Sequence, residues 1–425
     1  MVSLIVFYVF FALAIATVVQ AVLFIIQAWE HFRYTKSRLG HIGRTFPIGR
    51  AMVFVPCKGL DLDLDKNLDA LFRQDYNSFD IRFMVESTAD PAYGKLKELI
   101  SQHPEVHASI LTTGIATTCG QKVHNLRMAT QDLPSDIRYL VFMDSDAQPR
   151  REWLRAMLFR LCHDPQPNIG AVTGYRWMIP GRKTLGNYLV YAINSSATTL
   201  FGKKVSYPIW GGSWAISRKE FEESKIRDAW ERTISDDLVA TQSLTERGRH
   251  ILFEPFSVVA SPVDFSFHQA LSFLRRQYTI GRMHTPRAWL IGWLCIMIPT
   301  IVWWGSLIEV IRQAVVHGQI AWGWLGFCSV IYGTMVARGI LRQRLAPLYA
   351  RSYYPSLRNA VWFDILAGPI TSLVNAVCIS LSIFGSRLVW RRIVYTMNRS
   401  GTVRHIKRVD ALPDREAMRP QRRVA

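Results

Sequence analysis

The chain is 425 residues long, 49% hydrophobic, and carries a formal net charge of +19. Such a length accommodates one large soluble domain plus several membrane segments, and the apolar residues concentrate at the N-terminus and after residue 288. Basic residues cluster beside those runs, at Arg33, Lys36, Arg38 and Arg44, at Arg338, Arg342, Arg344 and Arg351, and at Arg387, Arg391 and Arg392. That placement points to a lipid surface and away from nucleic acid. Six cysteines without any CxxC spacing argue against a disulfide framework or a zinc site.

Residues 4–26 form an uncharged apolar run, long enough as a helix to cross a hydrocarbon core of about 30 Å. The run has no basic n-region and exceeds the length of a cleaved signal, so it is expected to stay as an anchor. The basic residues that follow it place the next domain in the cytoplasm.

In the central region short apolar runs alternate with helical ones. Strands are expected at 51–55, 81–85, 107–111 and 139–143, and helices at 67–72 and 94–101. The pattern predicts an α/β domain with a mostly parallel sheet. Ligands of such sheets bind beyond the carboxyl ends of the strands, where Lys58-Gly59, Glu86 through Asp90, and Asp144-Ser145-Asp146 all fall. No Walker-type or GxGxxG loop is present, which disfavours an ATPase or a Rossmann dehydrogenase.

Asp144 and Asp146 follow an apolar strand and flank one serine. Residues two apart in extended chain project to the same side. Their hard oxygens suit Mg²⁺ or Mn²⁺, with substrate phosphates completing the shell; a solvated pair at a strand end fits the same pattern. Asp236 and Asp237 open a helix expected to run through Leu244. Helix capping accounts for them on local pattern alone, and Asp236 is assigned mainly to that role; the functional reading is a general base.

Residues 265–283 are expected to be an amphipathic helix lying on the bilayer, with Arg275, Arg276 and Arg282 able to reach a diphosphate. Apolar runs at 289–310 and 320–336 predict a membrane hairpin. A fourth run at 361–384 contains Asp364 and Gly368-Pro369. Four full crossings put the basic tail outside, against the positive-inside rule. Either the fourth run is re-entrant or broken, or the tail is an exception.

The ordered motifs resemble those of the ceramide glucosyltransferase family. They are Pro56-Cys57-Lys58-Gly59-Leu60-Asp61, Asn67-Leu68, Gln74-Asp75-Tyr76, Val85-Glu86, Asp90-Pro91-Ala92, His103-Pro104-Glu105-Val106, Gln121-Lys122-Val123-His124-Asn125-Leu126, Asp144-Ser145-Asp146, Arg218-Lys219 and Asp237. The resemblance implies an inverting glycosyltransferase with a GT-A fold. It also implies that Asp90 binds nucleotide, that Asp144 serves the metal and diphosphate, and that Asp237 is the base. Lys58, Glu86, Lys122 and Arg276 complete the expected nucleotide-sugar site, and Asp144 with Asp146 the metal site. The family's (Q/R)xxRW motif departs here, reading Phe273-Leu274-Arg275-Arg276-Gln277-Tyr278. Arg276 matches the arginine, and Gln277 replaces the tryptophan unless Tyr278 serves instead.

The expected organisation is an anchor at 1–28, a cytoplasmic GT-A catalytic domain at 29–264, an interfacial segment at 265–287, membrane helices at 288–386 and a basic tail at 387–425. The expected activity is transfer of a sugar, glucose or a relative, from a UDP-sugar to a ceramide-like lipid hydroxyl, assisted by Mg²⁺ or Mn²⁺. Its partners are then the donor, the lipid acceptor and the bilayer, in a multi-pass membrane protein. A hopanoid-associated or other lipid glycosyltransferase using a different sugar is the alternative within the class, and an inactive membrane scaffold the alternative outside it.

Overall fold

The computed structural model describes residues 2–39, 47–203 and 206–409. Arg44 of the first basic cluster and residues 410–425 of the expected tail lie outside the described residues. Strand β1 (Arg50–Pro56) is buried over its five central residues, as an interior parallel strand must be. Its successive side chains point to opposite faces: Ala51, Val53 and Val55 enter one core layer, Met52 and Phe54 the other. Leu68, Leu96 and Trp153 complete the first layer, from the helices Leu64–Phe72, Pro91–Gln102 and Trp153–His163. Val123 and Leu126 of Gln121–Ala129, and Ala240 and Leu244 of Asp236–Glu246, complete the second.

Parallel neighbours of β1 are β2 (Phe79–Val85) and β4 (Ile137–Met143), and β3 (Ala108–Thr112) extends the sheet beyond β2. The far side is built from β5 (Ile169–Thr173), β7 (Ser213–Ser217) and β8 (His250–Phe253). The seven-stranded order is β3-β2-β1-β4-β7-β5-β8, with β7 antiparallel to both neighbours and every other pair parallel. A separate parallel pair joins β6 (Arg176–Pro180) to β9 (Val259–Val263). The expected α/β class with a mostly parallel sheet is therefore present.

The N-terminal helix runs Val2–Leu39 without a break. Its C-terminal turns enter the catalytic domain, where Phe32 packs with Trp177, Tyr191 and Phe253 and Tyr34 Oη donates to the Phe253 carbonyl at 2.9 Å. After the helix Phe267–His284 come two helices long and apolar enough to span a membrane, Pro286–His317 and Trp322–Tyr349. The fourth run is broken, as one of the two expectations had it. Arg351–Leu366 and Gly368–Leu381 meet at 81°, at the Gly-Pro step where proline removes a backbone donor.

Two expectations are corrected. Residues after 386 were expected to form a basic tail, but β10 (Arg387–Trp390), β11 (Ile393–Met397) and β12 (Val403–Arg408) form an antiparallel sheet. Their alternating apolar residues, Leu388, Ile393, Tyr395, Met397 and Val403, are buried together, which drives the sheet to fold against the domain. Arg342 was read as juxtamembrane charge, yet it is buried and held by Asp364 through Nε (3.1 Å) and Nη2 (2.8 Å). Gln343 Nε2 donates to the same carboxylate at 2.6 Å, and its Oε1 accepts from Tyr191 Oη at 2.6 Å.

That network joins two membrane-region helices to the catalytic domain, and breaking it strands a buried arginine. Asp364→Ala is expected to lower stability by about 3–5 kcal/mol, read as a fall in the thermal unfolding midpoint in detergent, and Asp364→Asn by less. A midpoint unchanged in Asp364→Ala refutes this role.

Candidate active site

Strand β4 ends in a turn in which Ala147 N donates to Asp144 O at 3.1 Å. The antiparallel β7 brings its preceding residues Gly211 and Gly212 against that turn, with Asp144 N donating to Gly212 O at 3.3 Å. A Cβ on Gly212 falls 2.7 Å from Asp144 Oδ2, and one on Gly211 falls 2.6 Å from Asp236 Oδ2 and 2.9 Å from Lys122 Nζ. Only glycine permits this close approach, which lets carboxylates from separate segments share one space. The space is a cavity of about 420 Å³, lined among others by Lys122, Asp144, Asp146, Asp237, Arg276 and Arg391.

Lys122 is the central cation. Its Nζ lies 2.8 Å from Asp144 Oδ1 and 3.1 Å from Asp236 Oδ1, and donates to the Gly211 carbonyl at 3.2 Å. Burial works against its charge, yet Asp144, Asp236 and Asp237 together hold the ammonium well above the ordinary lysine range. Asp236 is pushed up to about 7 by burial, with Lys122 opposing and Asp237 and Asp144 adding to the rise. Its Oδ2 is buried with no hydrogen-bond partner among the described residues.

This overturns the assignment of Asp236 to helix capping. Ser235 is the cap, its side chain accepting from Leu238 N at 3.3 Å, so Asp236 is free to turn inward to Lys122. Asp237 is half-buried at the cavity wall. Its Oδ1 accepts from Ser235 Oγ (2.5 Å) and Leu238 N (2.8 Å), and its Oδ2 from Gly211 N (3.0 Å). Three donors from two segments therefore fix its orientation.

Asp146 lines the same cavity, and its Oδ1 is buried without a hydrogen-bond partner among the described residues. Its carboxyl is pushed up to about 6 by burial, then by Asp144 and Asp61, with Arg176 and Arg391 opposing. An orphaned hard oxygen beside a second carboxylate fits a divalent cation such as Mg²⁺ or Mn²⁺. Among the described residues no group of three or more His, Cys, Asp or Glu side chains is arranged to hold a metal. Asp144 and Asp146 are the carboxylates that the turn after β4 brings to this cavity.

The other expected residues divide. Arg276 lines the cavity, its guanidinium 5.5 Å from the Phe273 ring and its Nη1 donating to the Val389 carbonyl at 3.2 Å. Lys58, Glu86 and Asp90 are not among the lining residues. Lys58 pairs with Glu86, which Arg408 Nη1 also contacts at 2.9 and 3.0 Å. Burial alone would raise the Glu86 carboxyl, but these two cations hold it below its usual range. Asp90 caps the helix Pro91–Gln102 by accepting from Ala92 N at 2.9 Å, and accepts from Gly59 N at 2.8 Å. Tyr278 cannot stand in for the motif tryptophan, because its hydroxyl bonds Asn375 in the membrane region. Gln277 faces the cavity instead, and the cavity's indoles are Trp210 and Trp390.

Sequence reasoning missed Arg176, Trp210, Asp61 and Arg391. Arg176 sits between the rings of Trp210 (5.4 Å) and Phe273 (5.1 Å); its short strand carries no distinctive signal. Asp61 belongs to the quoted Pro56–Asp61 motif but was given no role. Arg391 adjoins an apolar run and was read as membrane-surface charge.

The family model described as Glycosyl transferase family 21 matches residues 9–403. Among curated relatives, ceramide glucosyltransferase 1 of Caenorhabditis elegans is 33% identical over 99 residues, 23% of this chain and 21% of that protein. Ceramide glucosyltransferase of Komagataella phaffii is 31% identical over 103 residues, 23% of this chain and 20% of that protein. The matched stretch thus spans about a fifth of those relatives' length. Among solved structures, a mannosyltransferase from Pyrobaculum calidifontis in complex with GDP-Man and Mn²⁺ aligns with a TM-score of 0.42 at 17% identity, covering 86% of this chain and 98% of that one. The family match extends over most of the sequence, in keeping with the order of motifs from Pro56 to Asp237, and the chain belongs to glycosyl transferase family 21.

Proposed function

We propose that the chain transfers a sugar, with glucose as the first candidate, from a UDP-sugar to the hydroxyl of a ceramide-like membrane lipid, inverting the anomeric centre. The observation that carries this reading is the single cavity uniting Asp144, Asp146, Lys122, Asp237 and Arg276. One of its walls is the helix Phe267–His284, which leads directly into the membrane region.

In this reading the acceptor oxygen attacks the anomeric carbon opposite the departing diphosphate, and Asp237 takes the hydroxyl proton. General-base assistance of this kind contributes about 10²–10⁴ in rate. Lys122 and Arg276 face the developing negative charge on the leaving group. Asp144 and Asp146 would hold a divalent cation, and such an ion would supply Lewis-acid neutralisation of the diphosphate. Asp236 holds Lys122 in place, a positioning role.

The fold and the charges together support one orientation. The anchor helix ends with Lys36 and Arg38 on the catalytic side, which favours the cytoplasm for that side. The β10–β12 sheet touches the catalytic domain through Arg391 to Asp61 and Arg408 to Glu86. Both therefore lie on one side, so the chain between them crosses an even number of times. In this reading the helices Pro286–His317 and Trp322–Tyr349, both long and apolar enough to span, make two crossings, and the pair bent by 81° is re-entrant.

Initial tests use radiolabelled UDP-sugars and total lipid extract, with identification of the product; no transfer to lipid from any of them defeats the proposal. Asp237→Asn should lower kcat by roughly 10²-fold or more while leaving UDP binding within about twofold. Asp236→Asn should also cost activity, about tenfold, because half of the Lys122 anchorage loses its charge. A fully active Asp237→Asn enzyme places the base elsewhere.

Chelation should abolish turnover and Mn²⁺ or Mg²⁺ should restore it. Metal ligands must be deprotonated, and burial, then Asp144 and Asp61, push the Asp146 carboxyl up to about 6, so protons compete below that pH. The Mn²⁺ concentration giving half-maximal activity should accordingly rise as pH falls from about 7.5 to 5.5, and this dependence should flatten in Asp146→Asn. Full activity in excess EDTA removes the metal from the mechanism.

Cys162 is exposed in the catalytic domain, and Gln319 is exposed between the two spanning helices. An impermeant maleimide should label Gln319→Cys in intact cells but reach Cys162 only after permeabilisation. The reverse pattern inverts the orientation.

A further inference from the structure

The turn joining β10 to β11 consists of Arg391 (φ 48°) and Arg392 (φ 64°), both in the left-handed region. Two-residue hairpin turns with positive φ at both positions ordinarily carry Asn-Gly or Asp-Gly, because a larger side chain is disfavoured there. Turn formation alone gives no reason for arginine at either place. Arg392 is exposed, whereas Arg391 turns into the cavity that holds Asp144 and Asp146. Its Nη1 donates to the Lys58 carbonyl at 2.6 Å and its Nη2 to Asp61 Oδ1. The other oxygen of Asp61 accepts from Ser145 Oγ at 2.6 Å. One carboxylate therefore ties the hairpin tip to the middle residue of the Asp144-Ser145-Asp146 turn.

Strained backbone persists where the surrounding structure over-determines it, and such positions gather at functional sites. Here the strain delivers a guanidinium to a cavity whose opposite groups are carboxylates suited to a metal. A ligand fitting both must carry several anionic oxygens in a compact group, as a diphosphate does. A guanidinium meets such oxygens with paired donors.

We infer that Arg391 is a donor-binding residue, whose guanidinium the strained tip of the C-terminal sheet presents to the diphosphate of the nucleotide-sugar. The inference rests on the nucleotide-sugar reading of the cavity and assigns part of that site to residues beyond the last membrane helix. Without ligand, Asp61 and the Lys58 carbonyl hold the same group.

Calorimetric binding of UDP and of uridine to the full-length protein in detergent with Mn²⁺ tests it, using wild type, Arg391→Ala, Arg391→Gly and Arg392→Gly. Glycine relieves the backbone at either position, so Arg391→Gly removes the guanidinium without adding strain. Both Arg391 variants should lose UDP affinity by roughly tenfold or more and keep uridine affinity within about twofold. Arg392→Gly should bind both probes as wild type does. A thermal midpoint in Arg391→Gly at or above that of wild type separates the loss from unfolding. UDP affinity unchanged in both Arg391 variants, or an equal loss for uridine, overturns the inference and leaves the arginine a structural tie. Wild type binding neither UDP nor uridine overturns the donor reading itself, and this inference with it.

Discussion

Four aspartates reach one cavity from two separate segments, and Lys122 is what allows Asp144, Asp236 and Asp237 to remain together. Unit charges about 4 Å apart interact by on the order of 4 kcal/mol at the effective dielectric near a protein surface. Asp144, Asp236 and Asp237 would repel on that scale without a cation among them. Lys122 bonds the first two directly and lies within electrostatic reach of the third. Its own desolvation is offset only because several anions surround it. The neighbouring groups serve this contact: Gly211 and Gly212 clear the space, and Ser235 with Asp237 satisfies the helix start, which leaves Asp236 to Lys122.

A second constraint is that membrane and catalytic parts share cores. Phe32 of the anchor helix, Trp177 and Tyr191 of the catalytic domain, and Tyr349 at the end of Trp322–Tyr349 belong to one buried cluster. The Asp364 network adds a polar joint between the same parts. The cavity consequently has one wall from the sheet, one from the helix Phe267–His284 and one from the C-terminal hairpin. Under the proposed reading, this lets a soluble donor and a membrane-bound acceptor meet without either part of the protein moving far.

Much of this was legible in the sequence where burial enforces a pattern. The apolar runs of β1, β2 and β4 marked the strands and their carboxyl ends, and the uncharged or nearly uncharged runs marked the spanning helices. Asp144, Asp146, Lys122, Asp237 and Arg276 were named in advance and do line one cavity. Strands β5 to β9 escaped notice because strand pairing across such separations leaves no local trace. The choice between Asp236 and Asp237 was also illegible as a matter of environment. Adjacent aspartates at a helix start look alike until Lys122, 114 positions before Asp236 in the numbering, is placed beside one of them.

The positive charge carries the same lesson further. Cations beside apolar runs are expected at a membrane surface, and composition alone cannot separate that use from internal pairing. Lys122 meets Asp144 and Asp236, Arg342 meets Asp364, Arg391 meets Asp61, and Arg408 meets Glu86. Each pairing crosses between elements distant in sequence or between membrane and catalytic parts. Part of the +19 balance therefore acts inside the fold, joining segments that hydrophobic contact alone would bring together without fixing their register. Ionic contacts are weak sources of net stability once desolvation is counted, but they are directional. At a cavity assembled from several separate stretches of chain, direction is the scarcer quantity, and it explains why Arg391 and Arg408 turn toward Asp61 and Glu86 while apolar residues of the same small sheet form the core beneath.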